Sequence, residues 1–503
     1  MSRTGNVKKN VIVNLGTYLI VTILTFIQRR YFIHILGDDI AGINAVFANI
    51  IGFLSIADLG IGIAITFALY EPIAENDKIK IKGLINLYAK LYRGIALIIL
   101  VLGVIVSFIL PILIKGFPNM GMAKVYYFLY LINTIISYMF SYKSSILYAS
   151  QKLYIVSLVE SVVKIIKLLI QIFIIIFFNS YLFVLIVEIM CNMVYYAWIN
   201  KSVNKLFPWL NKTQGYVDKK TTNQIVIKIK ALFYHKIGSF IVFNTDNLAI
   251  SYFTNLFLVN VYSNYNMIIS FLSQLLAKVF DATTASIGNL LVEGNEERAY
   301  DVFRSMYFIN FWIVTYFTCC FYNMSNIFIT IWIGKQYILN TFVLLVVLIN
   351  FYITSMRISI SKFQDASGIY EKDKYAPIFE GGINLVFTII LGSKMGLIGI
   401  FIGTLISNVS VIMWIKPYIV YKNIFHKGLI GYFKEYAKYF ICMCIILVIT
   451  NWINGYLDLQ VSILNFILLG VVNTITINGI IIMVFHKRIK TIFKEIMNKR
   501  VIE

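Results

Sequence analysis

The sequence predicts an all-α polytopic membrane protein of about fourteen transmembrane helices, with two parallel six-helix bundles, two further C-terminal helices and both termini cytoplasmic. Three observations predict it. Of 503 residues, 59% are hydrophobic and only 13% charged, about half the ~25% charge of an ordinary soluble chain. Apolar runs of 18 or more residues recur from near Val11 to near Phe485, and a helix of about that length crosses the roughly 30 Å hydrocarbon core. Finally, the basic residues are distributed unequally between alternate connections.

The predicted spans run approximately 11–30, 41–69, 84–113, 123–148, 153–178, 181–200, 236–258, 264–290, 303–330, 337–360, 375–391, 396–416, 435–454 and 462–485. The first follows a basic start (Arg3, Lys8, Lys9) but ends in Gln28-Arg29-Arg30 without a small-residue cleavage site. It is therefore expected as a retained helix, not a signal peptide. Pro377 opens the span 375–391, and proline is tolerated in a first helical turn.

Orientation follows from sorting the 44 Lys and Arg residues. Thirty-five fall on the termini and even connections, six on the opposite side (Arg29, Arg30, Lys115, Lys124, Lys335, Lys394), and Lys164, Lys167 and Lys278 lie within spans. Such a split is the positive-inside signature and puts the termini in the cytoplasm. The formal charge of +21 then faces the anionic inner leaflet, and no nucleic-acid partner is expected. The longest loop, Lys201–Lys236, divides the chain. We expect a six-helix bundle over 1–205, a linker with an interfacial helix over 206–235, a second six-helix bundle over 236–420, and two additional helices with a basic tail over 421–503. In the linker, Lys228 and Lys230 can reach lipid headgroups, with a partly helical connection that does not lie on the membrane as the alternative.

The halves share acidic landmarks. Asp58, in Ala57-Asp58-Leu59-Gly60-Ile61-Gly62, and Asp281, in Phe280-Asp281-Ala282-Thr283, are 223 residues apart; Glu160 and Glu380 are 220 apart. Two acidic positions at nearly one offset predict a six-helix unit used twice. An even unit re-enters the membrane in the same orientation, giving parallel repeats suited to rocking about a central cleft.

Charge at mid-membrane costs roughly 2.5–3.5 kcal/mol on insertion scales, so ionisable residues there normally face a cavity or a partner. Asp58, Glu160, Asp281 and Glu380 are the candidates for ion coupling or gating, with a helix-end carboxylate bonded to its neighbours as the structural alternative. Glu160 and Lys164 are four residues apart, a favourable intrahelical pair. That pairing would leave Lys167 to meet an anion. Arg29, Arg30, Lys143, Lys164, Lys167, Lys278 and Arg357 are the candidate substrate-binding cations, suited to phosphate, Arg by bidentate contact and Lys as a point charge. Snorkelling to lipid headgroups is the alternative for each. Polar residues in the spans, among them Gln28, Asn49, Asn133, Asn192, Asn350, Asn384 and Asn408, suit sugar hydroxyls or interhelical bonds. Tyrosines in the Tyr126–Tyr154 region and at Tyr252–Tyr265 suit the lining of a sugar-accepting cleft, with interfacial aromatic belts as the alternative.

Enzyme chemistry is not indicated. The four histidines are scattered at span ends, the five cysteines lie inside apolar runs, and no Gly-rich phosphate loop ends in Gly-Lys-Ser/Thr. No metal and no cofactor are expected.

The residues resemble a known family. Asn14-Leu-Gly, Gln28-Arg-Arg-Tyr-Phe, Leu36-Gly37, Gly42-Ile43-Asn44, Ile56-Ala-Asp58-Leu-Gly60-Ile-Gly62, Asn244-Thr-Asp246-Asn247-Leu-Ala-Ile-Ser251 and Val261-Tyr262-Ser263 are similar to the polysaccharide exporters. These flip lipid-linked O-antigen or capsular repeat units, within the superfamily that also holds multidrug extrusion pumps and lipid II flippases. The resemblance spans essentially the whole chain. It implies translocation of an undecaprenyl-diphosphate-linked oligosaccharide across a bacterial cell membrane by alternating access, coupled to a proton or sodium gradient. It also implies membrane lipids, a polysaccharide polymerase and glycosyltransferases as partners. A lipid II or teichoic-type precursor flippase, a cation-coupled drug antiporter and a non-transport membrane protein stay open as alternatives. Cationic drugs would favour acidic cavity residues with few lysines.

Overall fold

A computed structural model describes residues 3–58, 60–114, 116–219, 221–227, 229, 245–281, 283–369, 371–373, 375–457 and 460–500. Every regular element among them is helical. That outcome is dictated by the surroundings the composition implies, because a backbone in hydrocarbon must satisfy its own N–H and C=O groups. Among the described residues, nine helices are long and apolar enough to cross a membrane, and a bent pair over 256–292 makes ten. The protein is thus a multi-pass membrane protein. The count of fourteen is not reached on this criterion, for reasons visible element by element.

The chain divides into two units, Met1–Ser263 and Asn264–Glu503. In the first, α1 (Arg3–Tyr31) runs through a π turn to Leu36, and α2 (Asp38–Leu54) follows. The expected second span is a helix broken in the middle. α2 tightens into a 3-10 turn at Ser55–Asp58, and α3 (Ile61–Ala74) restarts after Gly60, whose φ of 74° suits glycine. α4 (Lys78–Leu113) is 36 residues long and is capped by Asp77, which accepts a hydrogen bond from the Lys80 amide at 2.9 Å. At 1.5 Å per residue it reaches about 54 Å, well beyond the core thickness, so its basic first turns extend past its apolar run. α5 (Met120–Phe140), α6 (Ser144–Ala149), α7 (Leu153–Phe178) and α8 (Tyr181–Leu206) complete the set. α5 carries Lys124, Tyr126, Tyr127, Tyr130 and Asn133 and is too polar to pass the apolarity criterion. α7 and α8 form a tight hairpin because Asn179 adopts the left-handed conformation (φ 46°) as the C-cap of α7. Of the expected linker, 221–227 is helical; Lys228, Lys230 and 231–244, including the start of the expected span 236–258, lie outside the described residues. α9 (Asp246–Phe253) follows.

The division between units falls within α10 (Leu256–Asp281). Then come α11 (Thr284–Val292), α12 (Glu296–Trp332), α13 (Thr341–Met356), α14 (Ile358–Ser367), α15 (Ala376–Met395), α16 (Leu397–Ser407), α17 (Met413–Val420), α18 (Ile430–Leu457) and α19 (Ile463–Arg500). Charged residues in its first turns (Glu296, Glu297, Arg298, Asp301, Arg304) make α12 longer and more polar than its expected span. The order of elements recurs. Broken α2–α3 followed by the 36-residue α4 matches α10–α11 followed by the 37-residue α12, and α5–α6–α7–α8 matches α13–α14–α15–α16. Asp58 and Asp281 stand at the two corresponding breaks, and Glu160 and Glu380 on corresponding helices.

Helices in lipid associate by close packing and hydrogen bonding, since the tails are as apolar as the side chains. Two devices appear in the second unit. An aromatic core joins Phe303, Tyr307, Phe308 and Phe311 of α12 to Tyr432, Tyr436 and Tyr439 of α18 and Phe485 of α19. Within it, Phe311 and Tyr439 stack with centroids 4.2 Å apart. Where α15 meets α16, the contact is backbone to backbone: a β-carbon on Gly403 would stand 2.6 Å from the Thr388 amide nitrogen. Gly403→Leu is therefore expected to destabilise the protein by about 1–3 kcal/mol through overpacking, read as a lowered thermal transition in detergent.

Candidate functional site

The first unit forms an open-mouthed cavity of about 280 Å³ between α1, α2, α5, α7 and α8. Its chemistry follows from which helix faces meet. α1 contributes Thr25, Gln28, Arg29 and, from its π turn, Phe32; α2 brings Asn44; α5 brings Tyr130 and Asn133; α7 brings Lys164, Lys167 and Gln171; α8 brings Tyr181 and Glu188. On α7 the spacing 164, 167, 168, 171 is one helical face, and α7 packs against both α1 and α8.

Lys167 is not left free by a Glu160–Lys164 pair, as the sequence suggested. Lys167 Nζ lies 2.6 Å from Glu188 Oε1, across the α7–α8 hairpin. Gln171 Nε2 donates to the other carboxylate oxygen of Glu188 at 2.9 Å and to the Val184 carbonyl at 3.2 Å. Among the described residues neither Glu160 nor Lys164 has an ion-pair partner within 4 Å, and both are exposed. The reason is directional: Lys164 turns to the cavity, whereas Glu160, a turn earlier, does not line it. Arg29 donates from one guanidinium nitrogen to Asn260 Oδ1 and to Ser263 Oγ, both at 2.7 Å, and Asn260 donates in turn to Asp38 at 2.8 Å. Its guanidinium also lies 5.9 Å from the Phe32 ring centroid. Asn44 Oδ1 accepts from Tyr130 at 2.5 Å and from Tyr181 at 3.0 Å.

Of the predicted cations, Arg29, Lys164 and Lys167 are thus brought together. Arg30 is exposed and does not line the cavity. Lys143 sits in the turn between α5 and α6, where it donates to Asn204 at 3.4 Å. Lys278 and Arg357 belong to the second unit. There Arg357 is buried against Glu380 at 3.6 Å, so one predicted substrate cation and one predicted coupling carboxylate are partners of each other. Asp281 is held by Lys362 at 2.6 Å, which also meets Asp365 at 3.3 Å. The surroundings of Asp58 differ: Tyr88, Tyr92 and Tyr138 gather beside it, Tyr88 packing on Tyr92 with centroids 4.2 Å apart. Most of the span amides serve interhelical bonding, as with Asn192 to Asn133 (2.8 Å), Asn247 to Asn49 (2.8 Å), Asn384 to Thr404 (3.0 Å) and Asn408 to Asn350 (3.2 Å).

Sequence reasoning missed Glu188, Gln171 and Tyr181. Glu188 was findable, since an acidic residue inside an apolar run asks for a partner. The Arg357–Glu380 pair has the burial of a structural bridge, its side chains 10% and 6% exposed. Removing one partner strands the other charge, so Arg357→Ala is expected to cost about 3–5 kcal/mol. The pair replacement Arg357→Met with Glu380→Leu should recover most of it, both read from thermal unfolding.

No family model and no curated protein sequence matches the chain. Solved structures do. The chain is similar to the lipid II flippase MurJ in an inward closed conformation, with a TM-score of 0.72 at 16% identity over 95% of this chain and all of that one. It is also similar to an inward-facing MATE-family multidrug resistance transporter of the MOP superfamily, at 0.60 and 16% over 79% of this chain and 94% of that one. For a mutant of the Vibrio cholerae MATE transporter VcmN, the values are 0.56 and 16% over 84% and 99%. The chain therefore shares its fold with these solved structures. The likeness is one of fold and does not single out the polysaccharide exporters.

Proposed function

We propose that this protein is a flippase that carries an undecaprenyl-diphosphate-linked oligosaccharide repeat unit from the inner to the outer leaflet of a bacterial cell membrane by alternating access. The observation that carries the proposal is the composition of the cavity: three cations, Arg29, Lys164 and Lys167, against the single carboxylate of Glu188. A net positive, tyrosine- and amide-lined cavity suits the phosphates and adjoining sugar of a lipid-linked glycan. Charge-assisted bonds from Arg and Lys meet the phosphate oxygens, and neutral hydroxyl and amide groups meet sugar hydroxyls. A volume of about 280 Å³ lies just under the roughly 300–1,000 Å³ of small-molecule pockets. It fits a headgroup portion, with the polyprenyl tail left in lipid. Three cations in the cavity disfavour a cationic drug. Energy from a proton or sodium gradient, and glycosyltransferases and a polymerase as neighbours in the pathway, belong to the same proposal.

The likeness of nearly the whole chain to a lipid II flippase favours one second reading, a cell-wall lipid precursor as cargo. Deletion of the gene separates the two. Loss of surface polysaccharide with inward-facing lipid-linked repeat units accumulating supports the proposal, whereas growth arrest with accumulating cell-wall precursor supports the second reading. Normal surface polymer with altered drug sensitivity would sink both. Within the cavity, Lys164→Ala is expected to lower flipping roughly tenfold or more at normal protein abundance, consistent with about 1.5–3 kcal/mol for a charged hydrogen bond. Lys167→Ala should also impair it. Unchanged export in both variants would assign these lysines to structure or lipid contact.

A further inference from the structure

We infer that Glu188 is an internal counter-anion, which occupies Lys167 in the empty cavity and is displaced from it by the phosphates of the cargo. The inference rests on the flippase reading of the cavity and adds how that site keeps its affinity low enough for release. The geometry argues against a purely structural bridge. Lys167 and Glu188 side chains are 17% and 30% exposed, against 10% and 6% for the sealed Arg357–Glu380 pair, and both line the cavity wall. The carboxylate faces the space a phosphate would enter. It is bound as a phosphate would be, with one oxygen on the Lys167 ammonium at 2.6 Å and the other on the Gln171 amide at 2.9 Å.

Those two donors come from α7, while Glu188 comes from α8. A rotation of one side chain therefore frees both without moving either helix. Gln171 is anchored independently, by its bond to the Val184 carbonyl and by Gln28, which donates to Gln171 Oε1 at 3.5 Å. Its amide thus stays in place to meet whatever replaces the carboxylate. Lys164, with no ion-pair partner among the described residues, makes the first attraction; Lys167 becomes available only as the incoming anion outcompetes Glu188. An anion bound with no carboxylate competing for Lys167 would be held more tightly in every state of the cycle, and uniform tight binding does not speed turnover. Conduction and transport alike need a site strong enough to fill and weak enough to empty.

The test uses the full chain purified in detergent and titrated calorimetrically with inorganic pyrophosphate. Glu188→Gln keeps the side-chain shape and an acceptor for Gln171. It is expected to tighten binding roughly tenfold or more, within the usual range of coupling between sites. In a Lys167→Gln background the same change should give little or no gain, because no ammonium remains to be released. Equal or weaker binding in Glu188→Gln, or a gain that survives without Lys167, overturns the inference. Should Glu188→Gln not accumulate as folded protein, Glu188→Asp, one methylene shorter, is expected to give a smaller gain, and no gain overturns the inference equally. The flippase reading fails separately. Binding that is lost in Lys164→Ala but unchanged in Glu188→Gln removes only the role of Glu188, whereas no binding in the wild type or any variant removes both.

Discussion

In a hydrocarbon surround a backbone amide has no water to bond, so each peptide group must be satisfied within the chain. The helices of this protein follow from that constraint, and so do the places where they stop being regular. A break in a spanning helix frees carbonyls and amides, and it is tolerated only where polar partners or a lined cavity receive them. The break at Ser55–Gly60 is accompanied by the Tyr88, Tyr92 and Tyr138 hydroxyls, Tyr138 donating to the Ser55 carbonyl at 3.4 Å. The break after Asp281 is accompanied by Lys362 and Asp365. Side chains obey the same constraint: many amides and charges are paired across helices, Ser and Thr hydroxyls mostly bond back to a carbonyl one turn earlier in their own helix, and the cavity of the first unit collects a group whose pairing is partial.

Much of this was legible in the sequence, and its limits have a physical cause. The membrane class and most helices follow from apolar length alone. Arg29, Lys164 and Lys167 follow from the cost of charge in lipid, which forces such residues towards a cavity or a partner. The choice between cavity and partner was not legible, because it depends on neighbours distant in sequence. The four-residue spacing of Glu160 and Lys164 promised an intrahelical pair, yet the carboxylate that binds α7 is Glu188, 21 residues beyond Lys167 and on the next helix. Only the left-handed cap at Asn179, which folds α8 back along α7, brings the two together. Arg357 and Glu380 teach the same lesson in reverse. Each looked like a free charge in its own span, and their contact arises from the packing of the α13–α14 junction on α15.

The repeated order of elements shows how one plan accommodates different contents. The corresponding helices α4 and α12 differ by one residue in length, and the same broken helix precedes each. Side chains have diverged more than backbones. In the first unit α7 turns lysines to a cavity, while its counterpart α15 turns Glu380, Asn384 and Thr388 into buried contacts.

That divergence gives the two breaks unlike sensitivities to the medium. Asp281 is 59% exposed and is held by an ammonium, an attraction that dissolved ions screen over about a Debye length, ~8 Å at physiological ionic strength. Asp58 stands among neutral phenols, whose contacts with it are far less sensitive to dissolved ions. Added salt therefore weakens the contact at the second break more than those at the first, so the repeated order of elements does not carry a common response to ionic strength.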